Sequence, residues 1–321
     1  MTCEYVDLEA YLNVRLFYES AGYRVFRNRP ARGADLLVVL RGSREASDHE
    51  YAGIIHIYDY VKEHKIDWKA HFPNAGKIFL ISPTPPESSE GITYIKGYLP
   101  VVPDLWQATF EKKESRPVHI SHFKRIGEDK YQQDLVRLIK SGLVRAHGLR
   151  WDRVGIWTKP LSFWEADKIL ADSSICYGLM YPYQRGKTLS GRMWQAPLKG
   201  CFVISEALTN ISNCPGVIEV DGFSADNLAA IDHSTEKCRA LSTDAAEYWR
   251  KATQMLADEL RLDTRLVSLS GQSLIKCKRE LFLSHILTVF LRSAGLITGW
   301  RYFLYIFHRM KCTMGQDRQF F

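Results

Sequence analysis

The sequence predicts an α/β fold in two halves, each a mostly parallel sheet flanked by helices. Three observations predict it. Short apolar runs such as Ile54–Tyr58 and Cys201–Ile204 have the length and composition of strands that a parallel sheet buries on both faces. They alternate along the chain with loops and with stretches of helical spacing, the order that builds βαβ units. At 321 residues, with 46% apolar and 25% charged side chains, the chain is globular and long enough for two domains with cores of their own.

The first half is read as residues 1–116. Leu8 to Ala21 is a helix, with Leu8, Tyr11, Leu12 and Leu16 at helical spacing and Gly22 as its stop. Tyr23–Phe26, Ala34–Leu40, Ile54–Tyr58 and Lys77–Ser82 follow as strands, and Pro83-Thr-Pro-Pro86 closes the series with a loop. Tyr94–Val102 is a further strand. Pro103–Pro117, with the charge run Glu111-Lys-Lys-Glu114, is the expected linker.

The second half is read as residues 117–262. It opens with the strand Val118–Lys124 and a helix from Asp129 to Lys140 that carries Tyr131, Leu135, Leu138 and Ile139 on one side. Leu143–His147 is a strand. Ser162-Phe-Trp-Glu165 is a capping box, opening a helix that ends near Ala171, and Ser174–Met180 is the next strand. Ser190 caps a short helix reaching Leu198, which Pro197 kinks or closes and Gly200 stops. Cys201–Ile204 is then a buried strand with Ser205 and Glu206 at its end, where open α/β sheets bind ligands. Gly216–Val220 reads as a strand, and Ala225–Ile231 and Asp244–Leu260 as helices. Each half is thus Rossmann-like.

The order Ser190-Gly-Arg192-Met-Trp-Gln195-Ala, Gly200-Cys201 and Glu206 resembles the C-terminal domain of glycosyltransferases of the GT-B fold, most nearly a bacterial subgroup. The resemblance extends from about Val118 to Phe223, roughly a third of the chain. It implies two Rossmann-like domains facing a cleft: an acceptor-side domain in residues 1–116 and a nucleotide-sugar-binding domain in 117–262. It also implies a nucleotide-sugar donor used as substrate, with no further cofactor, and a surface glycan or lipid-linked acceptor such as lipopolysaccharide. The helix ending at Gly22 before Tyr23-Arg-Val resembles the start of many such enzymes. Their Gly-rich acceptor loop has only Cys3–Val6 to precede it here, so no catalytic base is carried over from it.

Such a reaction needs cations on a diphosphate and polar groups on ribose hydroxyls. Gly186-Lys187 and Gly191-Arg192 bracket the start of the short helix, and small residues there let a phosphate approach the backbone. Arg192 is the first candidate for the diphosphate and Lys187 the second. Lys124 and Arg125 follow the first strand of this half, where similar enzymes place a cation on the diphosphate. Gln195 stands where many GT-B enzymes have a Glu on the ribose; an amide still bonds hydroxyls, without the charge. Glu206 is the alternative for that role. Trp164, Tyr181 and Tyr183 are candidates to stack on a base, with the core as the competing place for each. The base of an inverting transfer would come from His56, Asp59 or His119, near the ends of predicted strands; a retaining transfer needs none. No paired-Cys, His-x-x-x-His or Asp-x-Asp spacing occurs, so a metal-independent reaction is expected.

Seven singly scattered cysteines, odd in number and without a signal-peptide pattern, fit a reducing compartment, here the cytoplasm. The net charge of +7 is concentrated: from Asp263 onward nine Lys or Arg face three acids, which leaves the rest of the chain nearly neutral. That distribution argues against nucleic acid as the partner. It fits anionic lipid, met through residues 276–311 on the inner face of a membrane. Leu281–Leu291 is apolar around most of a helix, Trp300–Phe307 repeats the idea with aromatics, and Arg292 and Arg301 break the run before it could span a bilayer. These helices either complete the core or lie in the membrane interface. No Gly-x-Gly-x-x-Gly follows any predicted strand, which disfavours a dinucleotide oxidoreductase. The rival to an enzyme is a non-catalytic GT-B-like binding or scaffold protein at the membrane surface.

Overall fold

Two parallel sheets organise the chain, one in each of two compact units. The structure is a computed structural model that describes residues 8–26, 33–40, 50–59, 66–86, 90–106, 116–121, 123, 128–148, 150–158, 161–182, 185, 189–206, 214–263 and 271–293. The first unit comprises Met1–Pro100, Leu256–Ser273 and Ile286–Phe321, and the second Val101–Met255 and Leu274–His285.

In the first unit α1 (Leu8–Ser20) precedes β1 (Leu36–Leu40), β2 (Ile54–Tyr58), α2 (Trp68–His71), β3 (Lys77–Ser82) and β4 (Ile92–Lys96). The strands run parallel in the order β1-β2-β3-β4, with Val38, His56 and Phe79 in register. Both faces of this sheet are covered, as the unbroken apolar strands require. Phe17 and Tyr18 of α1, with Leu256 and Leu260, pack among Tyr58, Ile81 and Ile95; Trp68 and Phe72 pack among Ile55, Ile57 and Leu80. Asp67 caps α2 by accepting from the amides of Lys69 and Ala70 at 3.1 and 3.0 Å. Tyr23–Phe26 is not a strand. Gly22 takes φ 84° and the Tyr23 amide returns to the Tyr18 carbonyl at 3.0 Å, a helix-closing turn that leaves Tyr23 and Phe26 exposed.

The expected linker begins instead with a helix. Pro103 takes the first position of α3 (Pro103–Trp106), where a missing N–H costs nothing, and Trp106 is buried. Just before it, Val101 exchanges two hydrogen bonds with Thr253 Oγ1, at 3.0 and 2.9 Å, which fastens this stretch within the second unit. The charge run at Glu111–Glu114 lies outside the described residues.

The second unit continues with β5 (Val118–Ile120), α4 (Lys130–Lys140), β6 (Arg145–His147), a 3-10 turn at Trp151–Val154, α5 (Phe163–Asp172), β7 (Ile175–Tyr177), α6 (Arg192–Leu198), β8 (Phe202–Ser205), β9 (Val217–Glu219), α7 (Asp226–Ala229) and α8 (Thr235–Glu259). All five strands are parallel, in the order β6-β5-β7-β8-β9. The predicted capping box is present: Ser162 Oγ accepts from the Glu165 amide and Glu165 Oε2 from the Ser162 amide, at 3.1 and 2.8 Å. Ser190 does not cap α6. Gly191 holds that position without a side-chain bond, and Gly200, at φ 67°, ends the helix. Helix α8 starts earlier than its apolar periodicity suggests, because Thr235–Thr243 is polar on its solvent side while Cys238, Leu241 and Ser242 are buried. The final described element is α9 (Gly271–Ser293), of which Leu274–His285 belongs to the second unit and the two ends to the first. Trp300–Phe307 lies outside the described residues.

Candidate functional site

The strand order of the second unit reverses at β5. The chain leaves β5 toward β6 on one side, and β7 lies on the other. Loops diverging from two such strands open a crevice beyond their C-terminal ends, the usual ligand position in open α/β sheets. Ser121 follows β5, Gly178–Met180 follow β7, and Ser205–Glu206 end β8.

Arg185, in the loop after β7, is the hub of this edge. Its Nε donates to Glu206 Oε1 at 2.9 Å, Nη1 to Asp129 Oδ2 at 2.5 Å and Nη2 to the Met180 carbonyl at 3.2 Å, while the guanidinium lies 5.1 Å from the Tyr131 ring centre. Glu206 Oε1 also accepts from the Met180 amide at 2.7 Å. Burial raises the pKa of Glu206, opposed by its own backbone amide, by Arg185 and by the Met180 amide. Burial pushes Asp129 the same way, but Arg185 and the amides at the start of α4 outweigh it and hold that carboxyl low. The cluster therefore joins three places: the start of α4, the loop after β7 and the end of β8. Glu206, 1% exposed, spends its carboxylate on this anchorage. Sequence inspection missed Arg185 because its partners lie 56 and 21 positions away; its only local signal is a cation beside Gly186 after a strand.

Arg192 begins α6 and is half-buried. Its charge reaches the middle of the sheet: after burial, it is the largest influence on His119, lowering its pKa, and on Cys176, opposing the rise that burial causes. Gly191 has helical φ and ψ of −52° and −30°, so no backbone strain demands glycine there. A β-carbon at Gly191 would sit 3.8 Å from Gln195 Oε1 and 3.9 Å from Trp194 Nε1, which places two side-chain polar groups beside an exposed stretch of backbone. Gln195 is buried in α6. Gly178 is tight instead: a β-carbon there would lie 2.7 Å from Val203 Cγ1 and 2.9 Å from Met193 Cε. Lys187, Lys124, Arg125 and Tyr183 lie outside the described residues.

The three candidate bases separate clearly. His119 is not at a strand end facing solvent but inside β5, with no exposed surface. Its Nδ1 lies 2.7 Å from the Tyr177 carbonyl, which can only accept, so that nitrogen carries the proton and Nε2 accepts from the Ser121 hydroxyl at 2.8 Å. Burial, then Arg192, pushes its pKa down to about 3. His56 is likewise mid-strand, in β2, buried between the Tyr18 hydroxyl at 2.7 Å and the edge of Phe79, with burial lowering its pKa to about 4. Both imidazoles are committed structural groups. Asp59 differs from them: it is half-buried just past β2, at the C-terminal edge of the first unit's sheet.

Of the proposed stacking residues, Trp164 is partly exposed and meets Phe282 edge-on, with ring centres 5.9 Å apart, and Tyr181 is half-buried. Sequence inspection did not single out Trp157. It is 89% exposed in the loop beyond β6, next to Thr158, whose hydroxyl donates to the Gly148 carbonyl at 2.5 Å. Among the described residues no group of three His, Cys, Asp or Glu is placed to hold a metal ion.

No family model matches the chain, and no curated protein matches it in sequence. Solved structures do match. The structure of Anabaena HepE in complex with UDP and glucose is 11% identical, with a TM-score of 0.50 over 81% of this chain and 97% of that one. The same protein with UDP-glucose gives 12% identity and the same score and coverage. AviGT4, a glycosyltransferase involved in avilamycin A biosynthesis, is more distant, at 14% identity and a TM-score of 0.44 over 65% of this chain and 73% of that one. What the chain shares with HepE at such identity is the fold, an α/β architecture of parallel sheets of the GT-B type.

Proposed function

We propose that the chain is a glycosyltransferase that moves a sugar from a nucleotide-sugar donor to a surface glycan or lipid-linked acceptor. The observation that carries this reading is the crevice edge of the second unit. There Arg192, the open backbone of Gly191 and the amide of Gln195 gather on one short element, and Arg185, Glu206 and Asp129 hold the adjoining loop. The fold shared with a protein seen in complex with UDP and glucose supports it.

In this reading Arg192 carries the negative charge that grows on the departing diphosphate, and Lys187, Lys124 and Arg125 add further cations. Gly191 admits a phosphate oxygen to its backbone, and Gln195 bonds a ribose hydroxyl. The reaction runs without a metal or separate cofactor. Asp59 is the candidate base for an inverting transfer, since it alone of the three sits at a strand end. The proposed place of work is the cytoplasm, at its face toward the membrane where a lipid-linked acceptor is met.

A thermal-shift panel of UDP, GDP, ADP, CDP, CMP and TDP on wild type and Arg192→Ala tests it. A nucleotide at about 100 times its dissociation constant stabilises a fold by about 2.7 kcal/mol, a shift of a few degrees. One nucleotide that shifts wild type and not the variant is the expected result. No shift with any of them overturns the reading. A second reading, a binding protein of the same fold without transfer, draws on Gln195 in place of a charged ribose partner; a nucleotide that stabilises the chain while its sugar conjugate is never turned over would select it.

A further inference from the structure

Among the described residues, the apolar side chains of helix α9 lie on two opposite sides, one buried and one largely exposed, where Phe282 meets the edge of Trp164. On the covered side Cys277 and Leu281 are buried, and His285 Nδ1 shares a hydrogen bond with Ser162 Oγ at 2.9 Å, which fixes the helix to the start of α5. On the other side Ile275, Phe282, Leu283, Ile286, Val289 and Phe290 are exposed, from 38% at Val289 to 66% at Ile275. Their spacing by three, four and seven puts them on one stripe. A contiguous apolar stripe, unlike a single exposed leucine, marks a surface that meets something apolar.

The charges on the helix identify what it meets. Lys276, Lys278 and Arg279 are exposed within one turn at the N-terminal end of the stripe, Arg279 on it and the two lysines at its borders. Glu280 is the only acid in the helix. Beyond it, positions 294–321 add Arg301, Arg309, Lys311 and Arg318 against Asp317 alone. No helix among the described residues is long and apolar enough to cross a membrane. An apolar stripe bordered by cations, on a helix that cannot span, fits the plane of a bilayer interface.

We infer that this face of α9 docks on an anionic lipid surface, with Phe282, Ile286 and Phe290 in the acyl boundary and Lys276, Lys278 and Arg279 on lipid phosphates. The inference stands apart from the transferase reading, because binding is measured with no nucleotide present.

The test is co-sedimentation of the full chain with vesicles of phosphatidylcholine alone and of phosphatidylcholine with phosphatidylglycerol, at low and high salt. Partition onto the anionic vesicles should exceed that onto neutral ones by tenfold or more and fall with salt. The triple variant Lys276→Glu, Lys278→Glu, Arg279→Glu should abolish that preference, and Phe282→Ser with Phe290→Ser should lower partition about tenfold. All five positions are exposed and the one ring contact described among them, Phe282 on Trp164, is partial, so the melting temperature should fall by no more than a few degrees, which separates lost docking from lost folding. Equal binding to both vesicles, wild-type partition by either variant, or no binding at all overturns the inference. So does a dimer in light scattering that Phe282→Ser with Phe290→Ser dissolves, since a second copy would then cover the stripe.

Discussion

At Gly191 the fold and the proposed phosphate make different demands. Its dihedrals are helical and the nearest atom to an added β-carbon is 3.8 Å away, so Gly191→Ala should leave the melting temperature unchanged or raise it slightly, by removing freedom from the unfolded chain. If a phosphate approaches that backbone, the same methyl stands in its way, and nucleotide affinity by calorimetry should drop about tenfold or more, about 1.4 kcal/mol. Wild-type affinity in a stable Gly191→Ala protein would remove Gly191 from the site. Arg192, Gly191 and Gln195 were legible in the sequence because they are consecutive or one turn apart, so local spacing alone places them together. Arg185 was not, since its carboxylates come from distant loops that only the sheet topology unites. His56 and His119 show the opposite case: a histidine near a predicted strand end reads as a candidate base, but burial and bonded ring nitrogens, both in His119 and Nδ1 in His56, decide its chemistry, and burial cannot be read from one residue.

Between elements, the Arg185 cluster acts as a fastening. Its removal leaves two carboxylates, both nearly inaccessible, without their shared cation, so Arg185→Met should cost about 3 kcal/mol of stability in urea unfolding. Glu206→Gln should cost less, because the amide oxygen still accepts from Met180, and combining it with Arg185→Met should show a coupling of about 1 kcal/mol or more. Additive losses would mean the three places are held independently. Gly178→Ala tests the packing beneath the same loop: its methyl would strike Val203 and Met193, and a loss of about 1–3 kcal/mol is expected. Most elements were legible from periodicity and caps, above all α5, whose Ser162 and Glu165 form the predicted box. The exceptions have local causes: α3 hides behind a proline and a charge run, the start of α8 behind polar solvent-facing residues, and Tyr23–Phe26 has strand composition but no strand beside it.

For the whole molecule, acid is the informative variable, because among the described residues each unit buries one neutral histidine: His56 in the first, pushed down to about 4, and His119 in the second, down to about 3. Both lie below the value of about 6.5 that an exposed imidazole keeps in the unfolded chain. As the pH falls below 6.5 the unfolded chain therefore takes up protons that the folded chain refuses, and stability is lost at about 1.4 kcal/mol per pH unit for each histidine until the folded values are reached. Asp129, held low, withdraws its own stabilisation only at still lower pH as the unfolded carboxyl protonates, while the raised pKa of Glu206 favours the folded state as acid is added, so carboxylates do not produce the upper part of the decline. Urea unfolding at pH 7.5, 6.5, 5.5 and 4.5 should show a plateau and then a fall beginning near 6.5. His119→Gln keeps one donor and one acceptor but cannot titrate, and it should flatten the fall for the second unit while leaving that of the first. A wild-type stability that is constant from pH 7.5 to 4.5 would show that both imidazoles take up protons as readily in the folded chain as in the unfolded one, and the burial that assigns them a structural role would be wrong.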